Sequence, residues 1–548
     1  MTPSEPTAPA VAAPHSPTEA DPPSPGLVRS AGLVGLGTMA SRLLGLVRNL
    51  TFAYFFGATN AMDAFFVAYR IPNLMRDLFA EGVMSAAFVP TFTKRLTTEG
   101  RDSAWQLGNQ LINALIVITG GLVLAGIIFV VPLTRLFAGD FGAVPGKFEL
   151  TVQLTRVMLP FLTLVAIAAA CMGMLNSLHR FFTPAVSPAM LNVCVIASAW
   201  VFVPLMPRAG FEPIMAIAFG FVLGGVAQIA IQYPSLRREG FRYRPTLDLK
   251  DRGLRNILGL MGPGTLAGAA LQINVLVNTI LATGEGTGAV SWLTYAFQLM
   301  YVPIGLVGVS IATAALPVMS RHAALDDLPM VRRTLSRALR LMLVLAVPAT
   351  VGLVVLAEPI ARMIYERGNF TPADTQATAL ALVCYAPCVI GYSAVRLLVP
   401  SFYALGRSLA PAIVSMAAVG LNIALNLVLV RVIGFQGLAL GTAVASLANA
   451  GLLLALLRRP LGGIDGQRVA ETLAKITVAA AVMGFVVSGA DQWRQSIWPG
   501  IDSGWLMLLV GTEIVVGLAV LAAAARALKI AEIDEVLVQV GKRLRRNP

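Results

Sequence analysis

Charged residues are scarce in this sequence. Asp, Glu, Lys and Arg make up 13% of its 548 residues, about half the share of ~25% that is usual in a soluble domain. Hydrophobic residues make up 57% and occur in runs long enough to cross a bilayer as helices. The composition therefore excludes an ordinary soluble protein and predicts an all-α integral membrane protein.

Cysteine and histidine are also rare, with four and three residues. The cysteines lie inside apolar runs, where a cysteine behaves as a small hydrophobic residue, and none has CxxC spacing. The sequence contains no GK[ST], GxSxG or HExxH motif, which are signatures of nucleotide, hydrolase and zinc-protease sites. We therefore expect no enzymatic activity, no cofactor and no His/Cys metal centre.

What the sequence has instead is fourteen apolar runs of membrane-spanning length. We predict about fourteen transmembrane helices at 27–56, 62–92, 106–137, 151–178, 183–205, 213–235, 256–282, 288–318, 335–357, 374–404, 409–431, 435–457, 468–489 and 504–526.

Positive charge is distributed unequally between the segments that connect these runs. Segments on one side, such as the one containing Arg238, carry 26 Lys and Arg residues, and those on the other side, such as the one containing Arg208, carry seven. The positive-inside rule places the richer side in the cytoplasm, which predicts cytoplasmic termini in a multi-pass protein. The net charge of +13 then reflects topology, and we expect no nucleic-acid partner.

An internal repeat occurs at an offset of 227 residues. Gly37-Thr38 recurs as Gly264-Thr265, and Pro90 recurs as Pro317. Six spans return the chain to its starting side, so the repeat predicts two parallel six-helix lobes. The predicted parts are a disordered Pro-rich tail (1–25), an N-lobe (26–235), a basic inter-lobe segment (236–255), a C-lobe (256–458), two extra helices (459–528) and a basic tail (529–548).

Arginines within the first two predicted spans are the most informative residues. An arginine at the bilayer centre costs about 2.5–3.5 kcal/mol on insertion scales, so Arg42, Arg48 and Arg76 require a water-filled cavity or ionic partners. The repeat does not preserve them, since Arg42 corresponds to Ala269 and Arg48 to Val275. Cations confined to one lobe indicate a site for an anionic cargo, because a guanidinium can bind phosphate oxygens through two N–H groups.

Other charges of the second span leave a structural alternative open. Arg70, Asp77 and Glu81 are spaced as on one face of a helix. They could form a salt-bridge network near the cytoplasmic end instead of a binding site.

Several stretches closely resemble the MurJ (MviN) lipid II flippases. The resemblance covers roughly residues 28–530 and is strongest at 41–48 (SRLLGLVR), 62–68 (MDAFFVA), 71–76 (IPNLMR), 79–82 (FAEG), 290–296 (VSWLTYA), 368–371 (GNFT) and 402–406 (FYALG). It implies the fold of the multidrug/oligosaccharidyl-lipid/polysaccharide exporter superfamily, with two lobes around a central cavity. It also implies a cargo of undecaprenyl diphosphate that carries the peptidoglycan disaccharide-pentapeptide.

The resemblance also implies site residues. Arg42, Arg48 and Arg76 match the essential cavity arginines of the family, and Asp63 and Glu81 match important acids. Two positions depart from the family pattern: Asn49 stands where an Asp is frequent, and Gln298 where an Arg is common. We include Gln298 in the expected substrate-binding set and expect the C-lobe to lack a cationic cavity contact.

A cation site proposed in relatives would fall near four neutral residues, Asn278, Asn422, Asn426 and Thr442. Asn422 and Asn426 share a helix face, but hard cations prefer oxygen shells that include carboxylates. The alternatives are weak ion binding and hydrogen bonding between helices.

We therefore expect a flippase of the bacterial inner membrane that moves lipid II from the cytoplasmic to the periplasmic leaflet by alternating access. Its partners would be the lipid-linked anionic cargo and membrane lipids. The alternatives are a drug or cation antiporter or another lipid-linked oligosaccharide flippase of the superfamily, and a membrane scaffold without transport. An antiporter would favour an acidic cavity, and a scaffold would need no unpaired arginines within the membrane.

Overall fold

The computed structural model of the chain describes residues 25–76, 87–498 and 503–532. Side chains are not described for residues 25–36, 38, 75, 76, 261–271 and 503. Within these ranges the structure contains helices and no β-strand, which confirms the all-α expectation. The predicted disordered tail, apart from residue 25, and residues 533–548 of the basic tail lie outside the described residues.

Nineteen α-helices are described. Those of the first half are α1 (Pro25–Phe56), α2 (Asn60–Arg76), α3 (Val89–Thr98), α4 (Arg101–Ile128), α5 (Val130–Ala138), α6 (Lys147–Met158), α7 (Phe161–Ser177), α8 (Phe182–Phe202) and α9 (Met215–Arg238). Those of the second half are α10 (Arg252–Thr283), α11 (Ala289–Ala324), α12 (Leu328–Val355), α13 (Ala357–Tyr365), α14 (Pro372–Tyr385), α15 (Cys388–Ala404), α16 (Leu409–Ile433), α17 (Phe435–Arg458), α18 (Gly466–Ile497) and α19 (Ser503–Ala527).

Ten helical segments of the described residues are long and apolar enough to cross a membrane, or eleven when α14 and α15 count as one span bent by 43°. They match eleven of the predicted spans. The other three, 27–56, 62–92 and 256–282, each include residues that are not described or lack a described side chain. A multi-pass membrane protein is therefore established, and the count of fourteen stays a prediction.

The helices pack in two groups. In the first, α8 packs on α1 and α9, α7 packs on α9, and α2 packs on α6; in the second, α11 packs on α12 and α15, and α17 packs on α15 and α16. We call α1–α9 the N-lobe and α10–α17 the C-lobe. The lobes meet where α2 contacts α11, α10 contacts α4 and α5, and α1 contacts α13.

Small residues bring the helices within each lobe close together, as is common in membranes. An added Cβ at Gly224 of α9 would lie 2.6 Å from the Leu191 side chain of α8. One at Gly391 of α15 would lie 2.4 Å from Ser446 of α17. The final pair, α18 and α19, packs on itself and on α12.

The inter-lobe segment is held against the N-lobe by amide side chains of α4. Asn109 donates to the carbonyl of Arg242 at 3.0 Å and accepts from the N–H of Arg244 at 2.9 Å. Asn113 donates to the carbonyls of Arg244 and Thr246, both at 2.9 Å. The side chains thus replace a neighbouring strand in satisfying the extended backbone.

An ion pair fixes the end of this segment. Arg95 of α3 makes two hydrogen bonds to Asp251, at 3.1 and 2.8 Å, and Asp251 also caps α10 by accepting from the N–H of Leu254. Partial burial raises the pKa of Asp251, but these hydrogen bonds outweigh it and leave the pKa below its usual value. The first turn of α10 is therefore tied to the N-lobe.

Candidate substrate cavity and lobe interface

A cavity of about 310 Å³ lies between the two lobes. We call it the central cavity. Its N-lobe lining includes Arg48, Phe52, Phe65, Tyr69, Arg70 and Phe221, and its C-lobe lining includes Asn278, Phe297, Gln298, Tyr385, Tyr392 and Thr442. Two arginines and no carboxylate belong to the described lining, so its electrostatic character favours an anion.

Arg48 projects into the central cavity from α1. Its Nη1 donates to the Asn192 side chain at 3.1 Å, and its Nε and Nη2 donate to Asn49 at 3.4 and 3.3 Å. Its guanidinium also lies 5.6 Å from the ring centre of Phe52 and 5.9 Å from that of Phe221. Neutral acceptors and aromatic faces therefore orient Arg48 within the cavity.

Asn49 connects Arg48 to the C-lobe. Its Oδ1 accepts from Arg48, and its Nδ2 donates to the Oε1 of Gln298 on α11. Asn49 is buried, and Gln298 lines the central cavity. Asn49 and Gln298 are thus in contact with each other across the lobe interface.

Arg42 lies about one and a half turns before Arg48 on α1 and has an exposed side chain. Its Nη1 would lie 3.0 Å from a Cβ added at Gly305 of α11. Among the described residues it has no salt-bridge partner. The structure therefore places Arg42 against the same C-lobe helix as Gln298.

The other predicted charges of α2 cannot be placed in the same way. Arg76 is the last residue of α2, and its side chain lies outside the described residues, as do Asp77 and Glu81 entirely. Arg70 lines the central cavity. The alternative of a salt-bridge network on α2 therefore stays open.

Asp63 is fully buried at the lobe interface and is not part of the cavity lining. It accepts from the N–H of Gly288 at 2.7 Å, and from the N–H and hydroxyl of Ser291 at 3.0 and 2.7 Å. Lys147 of α6, itself buried, donates to it at 2.9 Å. Asp63 of the N-lobe thus satisfies the free N–H groups at the start of α11 in the C-lobe, where the helix dipole also favours an anion.

Further contacts close the interface on this side, which we call the closed face. Thr287 donates to Asn60 at 2.8 Å, and the N–H of Asn369 donates to the carbonyl of Tyr54 at 3.0 Å. The backbones approach so closely that a Cβ at Gly57 would lie 2.3 Å from the Asn369 carbonyl. Gly57 also has φ +57°, a left-handed conformation that favours glycine.

The four residues of the predicted cation site form one hydrogen-bonded cluster. Asn426 donates to Asn278 at 2.6 Å and to Asn422 at 3.2 Å, and Asn422 donates to Thr442 at 3.3 Å. The Oδ1 of Asn426 is buried without a partner in the described structure. Asn278 and Thr442 also line the central cavity. The cluster connects the C-lobe helices α10, α16 and α17, and all of its side-chain oxygens are neutral.

Sequence reasoning missed three residues that the structure brings to these sites. Asn192 holds Arg48, Lys147 pairs with Asp63, and Arg396 of α15 donates to the hydroxyl of Tyr301 on α11. Asn192 and Arg396 lie within apolar runs. A polar residue in such a run was the available signal.

Comparisons with known proteins show what the chain is similar to. The family model "Lipid II flippase MurJ" matches residues 52–508, a range that includes Asp63 and Gln298 but begins after Arg48. A probable lipid II flippase MurJ of Vibrio cholerae is 33% identical over 475 residues, which are 85% of this chain and 89% of that protein.

Two solved structures show the similarity in three dimensions. A lipid II flippase MurJ in an inward closed conformation is 26% identical, covers 90% of this chain and 99% of its own, and superposes with a TM-score of 0.75. An inward-facing multidrug resistance MATE family transporter of the MOP superfamily is 14% identical, covers 80% and 99%, and has a TM-score of 0.64. The latter supports the fold alone.

Proposed function

The chain belongs to the lipid II flippase MurJ family, and on that premise we propose that it binds the diphosphate of its lipid cargo with Arg42, Arg48 and Arg76. As a flippase it moves a lipid between leaflets and is not an enzyme. We further propose that it resides in the bacterial inner membrane with both termini in the cytoplasm, as the charge distribution predicts.

One observation carries this proposal: the described lining of the central cavity includes Arg48, together with Arg70, and no carboxylate. A cavity for cationic drugs would need acidic groups to balance its cargo. Diphosphate oxygens, in contrast, match the planar N–H fork of arginine. The oxygens of Asn49 and Asn192 accept from Arg48 and orient its guanidinium within the cavity.

The size of the cavity supports a moving-lobe mechanism. Pockets for drug-sized ligands span about 300–1,000 Å³, and the central cavity has about 310 Å³. A disaccharide-pentapeptide is larger than a drug-sized ligand, so its entry requires the lobes to separate. With the closed face held by Asp63, separation at the opposite, cytoplasmic end would admit the headgroup while the prenyl tail stays in lipid.

The test is complementation of a bacterium depleted of its own flippase, with membrane protein level measured in parallel. We expect growth with the unaltered chain and no growth with Arg42→Ala, Arg48→Ala or Arg76→Ala at near-normal protein level. Arg407→Ala serves as the control because Arg407 is exposed outside the cavity, after the end of α15. Growth of all three variants, Arg42→Ala, Arg48→Ala and Arg76→Ala, would overturn the proposal.

A further inference from the structure

Arg396 occupies a position that requires water although it lies within a membrane span. It is on α15, eight residues before the helix ends at Ala404, or about 12 Å along the axis. Its side chain is exposed. An arginine that faces lipid so far from the helix end is strongly unfavourable, so we infer that its exposed surface faces the interior between the lobes.

The neighbours of Arg396 place it next to the central cavity. It follows the cavity residue Tyr392 by one turn of α15, and its partner Tyr301 follows the cavity residue Phe297 by one turn of α11. The rings of Phe297 and Tyr301 are stacked with centres 6.0 Å apart. The guanidinium of Arg396 lies 5.6 Å from the centre of the Tyr301 ring. The pair therefore extends the cavity lining by one helical turn.

Three arginines meet one face of α11. Gln298, Tyr301 and Gly305 are spaced by three and four residues, so their positions form a row about 10 Å long. Each position has an arginine beside it. Gln298 is linked to Arg48 through Asn49, Tyr301 accepts from Arg396, and Gly305 lies beside Arg42.

Neither Arg396 nor Arg42 has a salt-bridge partner among the described residues. The hydroxyl of Tyr301 is neutral and engages one nitrogen of Arg396, which leaves other N–H groups of the fork for a ligand. At the repeat offset of 227, Arg396 corresponds to Ala169. Like Arg42 and Arg48, it is thus absent from the other lobe and is not explained by the shared scaffold.

We propose that Arg396 is a cavity cation supplied by the C-lobe, and that it binds the cargo's diphosphate together with Arg42. This inference rests on the proposed function and adds to it the C-lobe contact that Gln298 does not provide. The anion is then held from both lobes, Arg42 from α1 and Arg396 from α15, so its binding couples their positions.

The test measures binding to the purified chain in detergent micelles with three probes: undecaprenyl diphosphate, uncharged undecaprenol and lipid II. Arg396→Ala should weaken undecaprenyl diphosphate binding about tenfold, or about 1.4 kcal/mol, and leave undecaprenol binding unchanged. Arg396→Lys should retain part of the affinity, because it keeps the charge and loses the fork. The matched control Arg407→Ala should bind all three probes as the unaltered chain does.

Tyr301→Phe separates binding from structure, because it removes the only described hydrogen-bond partner of Arg396 and leaves the charge. We expect it to bind undecaprenyl diphosphate within threefold of the unaltered chain. A loss as large as in Arg396→Ala would assign Arg396 a structural role and overturn the inference. If Arg396→Ala does not accumulate, Arg396→Lys and Tyr301→Phe decide by the same criteria.

Two further results distinguish this inference from the proposed function. If Arg396→Ala weakens lipid II binding but not undecaprenyl diphosphate binding, Arg396 contacts another acidic group of the headgroup and the diphosphate assignment is wrong. If the unaltered chain binds undecaprenyl diphosphate no better than undecaprenol, the proposed function itself fails. Unchanged diphosphate binding in Arg396→Ala, with normal discrimination by the unaltered chain, overturns this inference alone.

Discussion

The side-chain amide of Asn49 donates a hydrogen bond to the side-chain oxygen of Gln298 across the lobe interface. Its orientation is dictated by Arg48, because a guanidinium only donates and therefore requires the oxygen of Asn49. The NH₂ group of Asn49 must then face residue 298, which has to accept. Gln298 can do so and an arginine cannot, so Asn49 and Gln298 form one compatible neutral pair.

This pairing predicts that Gln298→Arg is harmful alone and tolerated together with Asn49→Asp. The single change places a donor against the NH₂ group of Asn49, and an unpaired buried polar group costs about 1–3 kcal/mol. The double change supplies a carboxylate to both arginines. We expect a lower thermal midpoint and weaker complementation for the single variant and recovery of both for the double variant. Equal behaviour of the two would contradict the interpretation.

The contact between Thr287 and Asn60 predicts that the closed face can be locked. Their side-chain oxygens are 2.8 Å apart, so Asn60→Cys with Thr287→Cys should form a disulfide under mild oxidation. A mobile interface that is covalently closed cannot complete a transport cycle, so translocation should stop and resume after reduction. Each single cysteine variant is the control. Full transport by the oxidised double variant would show that this interface does not open.

The contacts of Asp63 predict a loss of thermal stability when it is replaced, because Asp63 is the buried acceptor for both Lys147 and the start of α11. Removing one partner of a buried ion pair costs about 3–5 kcal/mol. Asp63→Ala should therefore lower thermal stability strongly, and Lys147→Ala in the same chain should restore part of the loss. A double variant that is less stable than Asp63→Ala would count against the pair as the main cause.

The amide cluster of the C-lobe predicts stability that does not depend on sodium. Asn426→Leu removes hydrogen bonds to Asn278 and Asn422 and should cost about 1–3 kcal/mol. The thermal midpoint should fall equally in sodium and in choline chloride, since the cluster lacks a carboxylate. A stabilisation by sodium that Asn426→Leu abolishes would establish a cation site instead.

Topology can be tested at the two ends of a single helix. Arg208 precedes α9 and Arg238 is its last residue, and both side chains are exposed. Arg208→Cys and Arg238→Cys remove the same charge and should react with a membrane-impermeant thiol reagent from opposite faces, Arg208→Cys from outside. The native cysteines are buried or half-buried. Labelling of both variants from one face would overturn the predicted orientation.

Hydropathy was sufficient to predict eleven membrane-spanning segments of the described residues. The predicted span 409–431 is the helix Leu409–Ile433, because apolar length alone fixes such an element. The insertion cost of an arginine also predicted that Arg48 faces an interior, and Arg48 lines the central cavity. These inferences depend on composition and local spacing, which a sequence displays directly.

Contacts between the lobes could not be predicted in this way. Asp63 meets Ser291 across 228 positions and Asn49 meets Gln298 across 249, and no periodicity relates such residues. Asp63, a predicted substrate-binding residue, lies in the interface, where it accepts from the N–H groups that begin another helix. Arg396 was missed because its tyrosine partner is on a different helix.

The glycines of the closed face have a consequence for how that face responds to its surroundings. At Gly57, and at Gly368, where a Cβ would lie 2.2 Å from the Tyr54 carbonyl, backbone meets backbone without charge. Such contacts carry no charge, so neither protonation nor dissolved ions act on them. A change of pH or of ionic strength would therefore leave the steric part of this closure in place.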